Sequence, residues 1–139
     1  MKKEQKLPQN LGHKPIISVN DYQRLDAFDA NNVGAEALSI GKAIWDPSQI
    51  SLKIWRRPKK RWSRLSEELP IHRNLDLSIL FLAALSADIQ ENYPKSNLGE
   101  VIDRVADVQE IKDFYSKKKK FIEPRLIELK RLLDKIVIN

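Results

Sequence analysis

Gln49-Ile50-Ser51-Leu52-Lys53-Ile54-Trp55-Arg56-Arg57-Pro58-Lys59-Lys60-Arg61-Trp62-Ser63-Arg64-Leu65-Ser66 is the stretch on which the fold turns. Ile50, Leu52 and Ile54 alternate with Ser51, Lys53 and Trp55, the period of two that marks a half-buried strand. With Arg57-Pro58-Lys59-Lys60 as the loop, the segment reads as a β-hairpin in which Arg56 faces Arg61 and Trp55 faces Trp62. Lys53 then lies opposite Arg64, and Ser51 opposite Ser66. This register predicts an inner apolar face of Ile50, Leu52, Ile54 and Leu65, and an outer face of Ser, Lys, Trp, Trp, Arg and Ser. A slip of one residue on either strand separates the tryptophans.

The same stretch holds seven Lys and Arg residues and no acid, so its local charge of +7 exceeds the formal +6 of the whole chain. Residues 1–48 are neutral overall, 67–106 carry −4 and 107–139 carry +3. The acidic segment that follows the hairpin is placed to neutralise part of it.

Upstream, Lys14-Pro15-Ile16-Ile17-Ser18-Val19 has the β-branched content of a short strand, with Asn20-Asp21 as a turn or cap. Val33, Ala37, Leu38, Ile40 and Ile44 fit a helix between Asn32 and Ala43, capped by Asn31 or Asn32. Downstream, Asn74 is suited to cap a helix over 75–91 with Asp76 in its first turn. Apolar residues occupy nearly the whole circumference of that helix, which predicts burial on most sides. Residues 105–138 read as helical, with a stripe of Leu126, Leu129, Leu133 and Ile136, and Pro124 either kinks one helix or begins a second. The expected architecture is therefore α+β: a small antiparallel sheet built on a central β-hairpin, packed against a buried helix and C-terminal helices. Residues 1–139 are expected to form a single domain, with 1–12 as a flexible arm.

The totals exclude several chemistries. A chain of 139 residues without cysteine has no disulfide, thiolate zinc site or cysteine nucleophile. There is no G-x-x-x-x-G-K-[ST] phosphate loop and no G-x-S-x-G elbow. The two histidines, His13 and His72, have no second histidine at helical spacing, and Asp21, Asp26 and Asp29 lack the pattern of a calcium loop, so no metal or other cofactor is expected. The N-terminus does not read as a secretory signal, and the longest apolar stretch, Ile79–Leu85, is short of a membrane span. A cytoplasmic protein with no membrane partner is the expectation.

Trp62-Ser63-Arg64-Leu65-Ser66-Glu67-Glu68-Leu69-Pro70-Ile71-His72-Arg73-Asn74-Leu75-Asp76 resembles a bacterial family of uncharacterised proteins, a domain of unknown function. Its members look like they carry W-S-R-x-S-E-E-L-P-x-H-R-x-L-D-L after a strand similar to Leu52-Lys53-Ile54-Trp55-Arg56, with an upstream H-K-P similar to His13-Lys14-Pro15. The resemblance spans roughly residues 11–85 and implies a prokaryotic or phage-like cytosolic setting. It carries no catalytic residue.

Two constellations are candidates for function. Lys53, Trp55, Trp62 and Arg64, with Arg57, Lys59 and Lys60 at the loop, combine stacking faces with cations, which suits single-stranded nucleic acid or an acidic protein. The competing interpretation packs the tryptophans as core or as a homodimer contact, with internal cation–π pairs. Glu67, Glu68, His72, Arg73 and Asp76 form the second group: an enzyme would use His72 and Glu68 as an acid–base pair, whereas a structural corner would pair Arg73 with Glu68 or Asp76. The balance favours a non-enzymatic binding or interaction module. The Lys117–Lys120 run is expected to be a solvated helix segment.

Overall fold

The computed structural model describes residues 7–10, 12–27, 35–56, 67–87 and 94–137. The architecture is α+β, with a four-stranded antiparallel sheet in the order β1-β2-β3-β4 and three helices. Two compact units make up the chain, Met1–Leu75 and Asp76–Asn139. The first contains the sheet.

Strand β1, Lys14–Val19, forms where the β-branched run predicts it. It lies at the sheet edge, and its register against the next strand shifts between Pro15 and Ile17. Such a bulge suits a proline that has no N–H to give to a ladder. Asp21, in the left-handed region at φ 52°, then opens a single helical turn over Tyr22–Leu25.

The second strand, β2 (Ala35–Lys42), replaces the helix expected between Asn32 and Ala43. The apolar positions fit two periods, and the small residues decide between them. Ala35, Ala37, Ser39 and Gly41 recur at every second position and all face one buried side, while Glu36, Leu38 and Ile40 alternate to the other. A strand can lay such a row beneath bulky side chains from elsewhere; a helix would scatter it.

Strand β3, Ile50–Arg56, matches the first arm of the expected hairpin. Its partner is β4, Glu68–Pro70, in which Ser51 pairs with Pro70, Leu52 with Leu69 and Lys53 with Glu68. The expected pairing of Ser51 with Ser66 and Lys53 with Arg64 is therefore corrected by four residues. Arg57, Lys59, Lys60, Arg61, Trp62, Arg64, Leu65 and the rest of 57–66 lie outside the described residues. The Ile54 N–H donates to the Glu67 carbonyl at 2.9 Å, and Arg56 grips the Glu67 carboxylate through its Nε and Nη2. These contacts pin the returning chain at 67, where no loop-length rule would have placed it.

The faces are also opposite to expectation. Ser51, Lys53 and Trp55 are buried, Leu52 and Ile54 half-buried, and Ile50 exposed. Alternation dictates which residues share a face; it does not dictate which face is covered. Here the cover is the distant N-terminal segment, with Leu7 packed in one buried cluster with Ala37 and Trp55. Leu7 falls within the stretch expected to be a flexible arm, of which residues 1–6 and 11 lie outside the described residues.

Helix α1, Ile71–Leu85, starts directly after Pro70, so Asn74 lies inside it and no acid occupies its first turn. The expected start at Leu75 with Asp76 as a dipole partner is corrected accordingly. Burial is also less than predicted: Ala83 is the buried residue of this helix, and Leu75, Leu77, Leu80 and Leu82 are exposed. An apolar circumference records what a helix can bury, and this one is not enclosed by the described residues.

In the second unit, Glu100 organises the 95–100 loop. Its carboxylate accepts from the Ser96 hydroxyl at 2.6 Å and from the backbone N–H groups of Lys95 and Ser96 at 2.6 and 3.2 Å, which lowers its pKa to about 2. After a turn at Val105–Asp107 come α2, Val108–Lys117, and α3, Lys119–Ile136. The chain breaks at Lys118, and Pro124 sits within α3, neither at a junction nor at the first turn. Leu129, Leu133 and Ile136 are exposed along α3. In the lysine run, Lys119 pairs with Glu123 at 3.4 Å and Lys120 stands 5.0 Å from the Phe121 ring centre.

Gly41 supplies the close approach of β1 to β2. A Cβ there would stand 2.1 Å from the Lys14 carbonyl oxygen, a backbone atom that can move only with the strand. Gly41→Ala is expected to lower stability by about 1–3 kcal/mol, read as an earlier urea midpoint with unchanged slope. Gly12→Ala meets side-chain atoms of the exposed Ile44 instead of a strand's backbone and should lose less. Equal stability of Gly41→Ala and the parent would refute the close approach.

Candidate functional site

The polar groups of the first unit converge on the covered face of the sheet. Register places Ala37 beside Trp55, Ser39 beside Lys53 and Gly41 beside Ser51, and sets Glu68 of β4 next to Lys53. His13, just before β1, lies over this surface with no exposure. Its Nδ1 is 2.8 Å from Ser51 Oγ and its Nε2 is 2.9 Å from Ser39 Oγ.

The direction of every bond in this network follows from what each group can do. An indole N–H can only donate, so Trp55 Nε1 donates to Ser39 Oγ at 2.8 Å. Ser51 donates to Glu68 Oε2 at 2.8 Å, and its oxygen therefore accepts from His13 Nδ1–H. Ser39 has one proton left, and with a neutral ring it goes to His13 Nε2. The Ile44 N–H, at 3.0 Å, completes Glu68 Oε2. The result is a chain from Trp55 through Ser39, His13 and Ser51 to Glu68 in which each donor meets an acceptor.

Burial pushes the His13 ring below its ordinary pKa; the Glu68 carboxylate, 3.4 Å from Nδ1, pulls the other way, and the Lys53 charge adds to the lowering. Burial likewise lowers the Lys53 pKa, and Glu68 opposes it. The Lys53 amine stands 4.4 Å from the centre of the Trp55 ring, a cation–π contact inside the fold. His13 meets the same ring edge-on at 5.9 Å.

The order Ser39–His13–Glu68 resembles that of a hydrolytic triad, but the chemistry differs. Ser51 stands between ring and carboxylate, Ser39 already accepts an indole proton, and Ser39 and His13 are both buried. What the arrangement does is hold buried polar groups without an orphan, which fixes one packing of the N-terminal segment on the sheet.

The residues singled out in the sequence are thus divided. Lys53 and Trp55 belong to the buried network and present no outer platform. Arg57, Lys59, Lys60, Trp62 and Arg64 lie outside the described residues. Glu67 is held by Arg56, which keeps its carboxyl below the usual range. Glu68 does serve a histidine, but the partner is His13; His72, Arg73 and Asp76 are exposed on α1. Sequence reasoning missed Ser39 and gave Ser51 to the outer face. The signal was available in the row of small residues Ala35, Ala37, Ser39 and Gly41, which needs a large buried neighbour to fill the space above it.

The opposite face has no polar side chain in its two central rows. Ile17, Ile40, Leu52 and Leu69 form one row across the four strands, and Val19, Leu38 and Ile54 form the next. They line an open groove of about 320 Å³. Among the described residues, no group of three His, Cys, Asp or Glu side chains could hold a metal, and no helix is long and apolar enough to cross a membrane.

Ser39→Ala strips a partner from two buried groups, Trp55 Nε1–H and His13 Nε2. It should lose about 1–3 kcal/mol in urea unfolding. His72→Ala, at an exposed position, should stay within about 0.5 kcal/mol of the parent. The reverse ranking would show that the network is not the anchor.

No curated protein and no solved structure matches this chain. A family model does match, over residues 5–107, which takes in the sheet, the His13 network and α1. On that match the chain belongs to the family of unknown function DUF6530.

Proposed function

We propose that this protein is a non-enzymatic interaction module that pairs with a second copy of itself through the aliphatic face of the sheet. The observation that carries this is the two open rows, Ile17-Ile40-Leu52-Leu69 and Val19-Leu38-Ile54. Ile17 is 68% and Val19 37% exposed, the other five side chains are half-buried around the groove, and an apolar surface partly left in water favours association.

A second copy is the occupant that the charges favour. At a formal +6, two copies repel through most of their surfaces. A two-fold contact through these rows buries aliphatic side chains against one another, and Glu67, a charged group lining the groove, is held by Arg56. Two sheets can meet face to face at about 10 Å with their aliphatic side chains interdigitated. The reading of Lys53 and Trp55 as a nucleic-acid platform loses its support, since both are buried.

Sedimentation velocity over a micromolar concentration series tests the proposal. The parent should move from monomer to dimer, and Ile17→Glu should weaken self-association at least about tenfold, because the contact would bury an unpaired carboxylate. Ile17 is exposed, so the substitution should leave the fold intact by circular dichroism. A parent that stays monomeric throughout defeats the dimer and leaves a different protein as the occupant. Undiminished association of Ile17→Glu moves the contact to another surface.

A further inference from the structure

We propose that the N-terminal segment carrying Leu7 and His13 is an acid-released cover over the Trp55–Lys53 face of the sheet, with the His13 ring as its latch. This is independent of the aliphatic face on the other side. Among the described residues, few contacts seat the cover. Leu7 packs with Ala37 and Trp55, and His13 bonds Ser39 on β2 and Ser51 on β3. Between them, the Gln9 carbonyl accepts from the Lys14 amine at 2.8 Å and Gln9 Nε2 donates to the Pro15 carbonyl at 3.2 Å, both in exposed positions where such bonds add little. Among the described residues, the deep attachment is thus one leucine and one histidine.

The network fits only the neutral ring. A second proton would sit on Nε2, facing Ser39 Oγ, and Ser39's own proton would then lose the acceptor it has in the bonded chain. A charged ring would also be buried in a place where the groups facing it partly oppose each other. Glu68 on β4 favours the imidazolium, and Lys53 on β3 disfavours it. From β2 the ring meets the uncharged Ser39, and in its own segment the charged neighbour is Lys14, whose amine is directed to Gln9. Burial tips the balance to the neutral form, in line with the downward shift of the ring.

The sign follows. A released histidine takes its proton near its ordinary value of 6.5, and the covered one does so only at lower pH. The latch is therefore fully effective above that value and is lost as the pH falls through it toward the covered-state value. Within that window the open population should rise about tenfold per pH unit. Ordinary carboxylates titrate near pH 4, below the window. Opening uncovers Trp55 beside the Lys53 amine, an aromatic surface next to a cation that is hidden when the cover is shut.

Amide hydrogen exchange by mass spectrometry at about pH 7.5 and about pH 5, corrected for intrinsic exchange, tests this. Amides of residues 7–10 and 12–14 should exchange faster at the lower pH while β2 and β3 keep their protection. No acceleration of the cover overturns the proposal, and so does simultaneous loss of protection in cover and strands, which would be ordinary acid unfolding. His13→Gln, which cannot take up a proton, should abolish the pH dependence; its persistence would also overturn the proposal. Should that variant fail to fold, Lys53→Met gives a second test. Removing the cation should raise the His13 titration seen by NMR and reduce the extent of acid-driven opening, and opening of unchanged extent would count against the latch.

Discussion

The covered face depends on the bonding of His13. A histidine, two serines, an indole, a carboxylate and an ammonium are brought together where water is excluded, and each would be costly there alone. They are tolerated because the imidazole has two nitrogens of opposite character, one donating and one accepting, and the strands deliver a serine to each. Remove the ring and both serines lose a partner at once, while Trp55 loses its edge-on neighbour and Glu68 the ring nitrogen beside it. A polar core of this kind specifies a single arrangement more sharply than an aliphatic one, where side chains can slide past each other.

This explains why so unusual a face can be the inner one. Trp55 supplies the volume and the small residues of β2 supply the floor, so the segment from Leu7 to His13 meets a surface already shaped for it. The aliphatic residues of the same strands are then directed to the other side. The division leaves the first unit with a polar interior face and an apolar exterior one, the inverse of the arrangement that hydropathy alone suggests.

Legibility followed the physics of each segment. The β-branched run 14–19 was readable because it fits no other local structure, and the alternation in 50–56 was readable for the same reason. The 35–42 strand was not, since Ala, Leu, Ile and Ser recur at intervals compatible with both periods and only a long-range neighbour chooses between them. The hairpin partner was misplaced because the pairing at 68–70 depends on Glu67 and Glu68 finding Arg56 and His13. Glu68 stood out in the sequence as a carboxylate next to a histidine, but proximity along the chain selected His72, whereas the fold selected His13, 55 positions away. Charge misled as well: Lys53 counted as part of a cationic surface, and its amine is instead turned onto an indole.

The edges of the sheet have a consequence of their own. One margin is β1, broken by Pro15 and a register shift; the other is β4, only three residues long and running straight into a helix. Neither offers a long, regular ladder of free N–H and C=O groups to an incoming strand. Lateral growth into fibrils or open-ended stacks of strands is thereby discouraged at both sides.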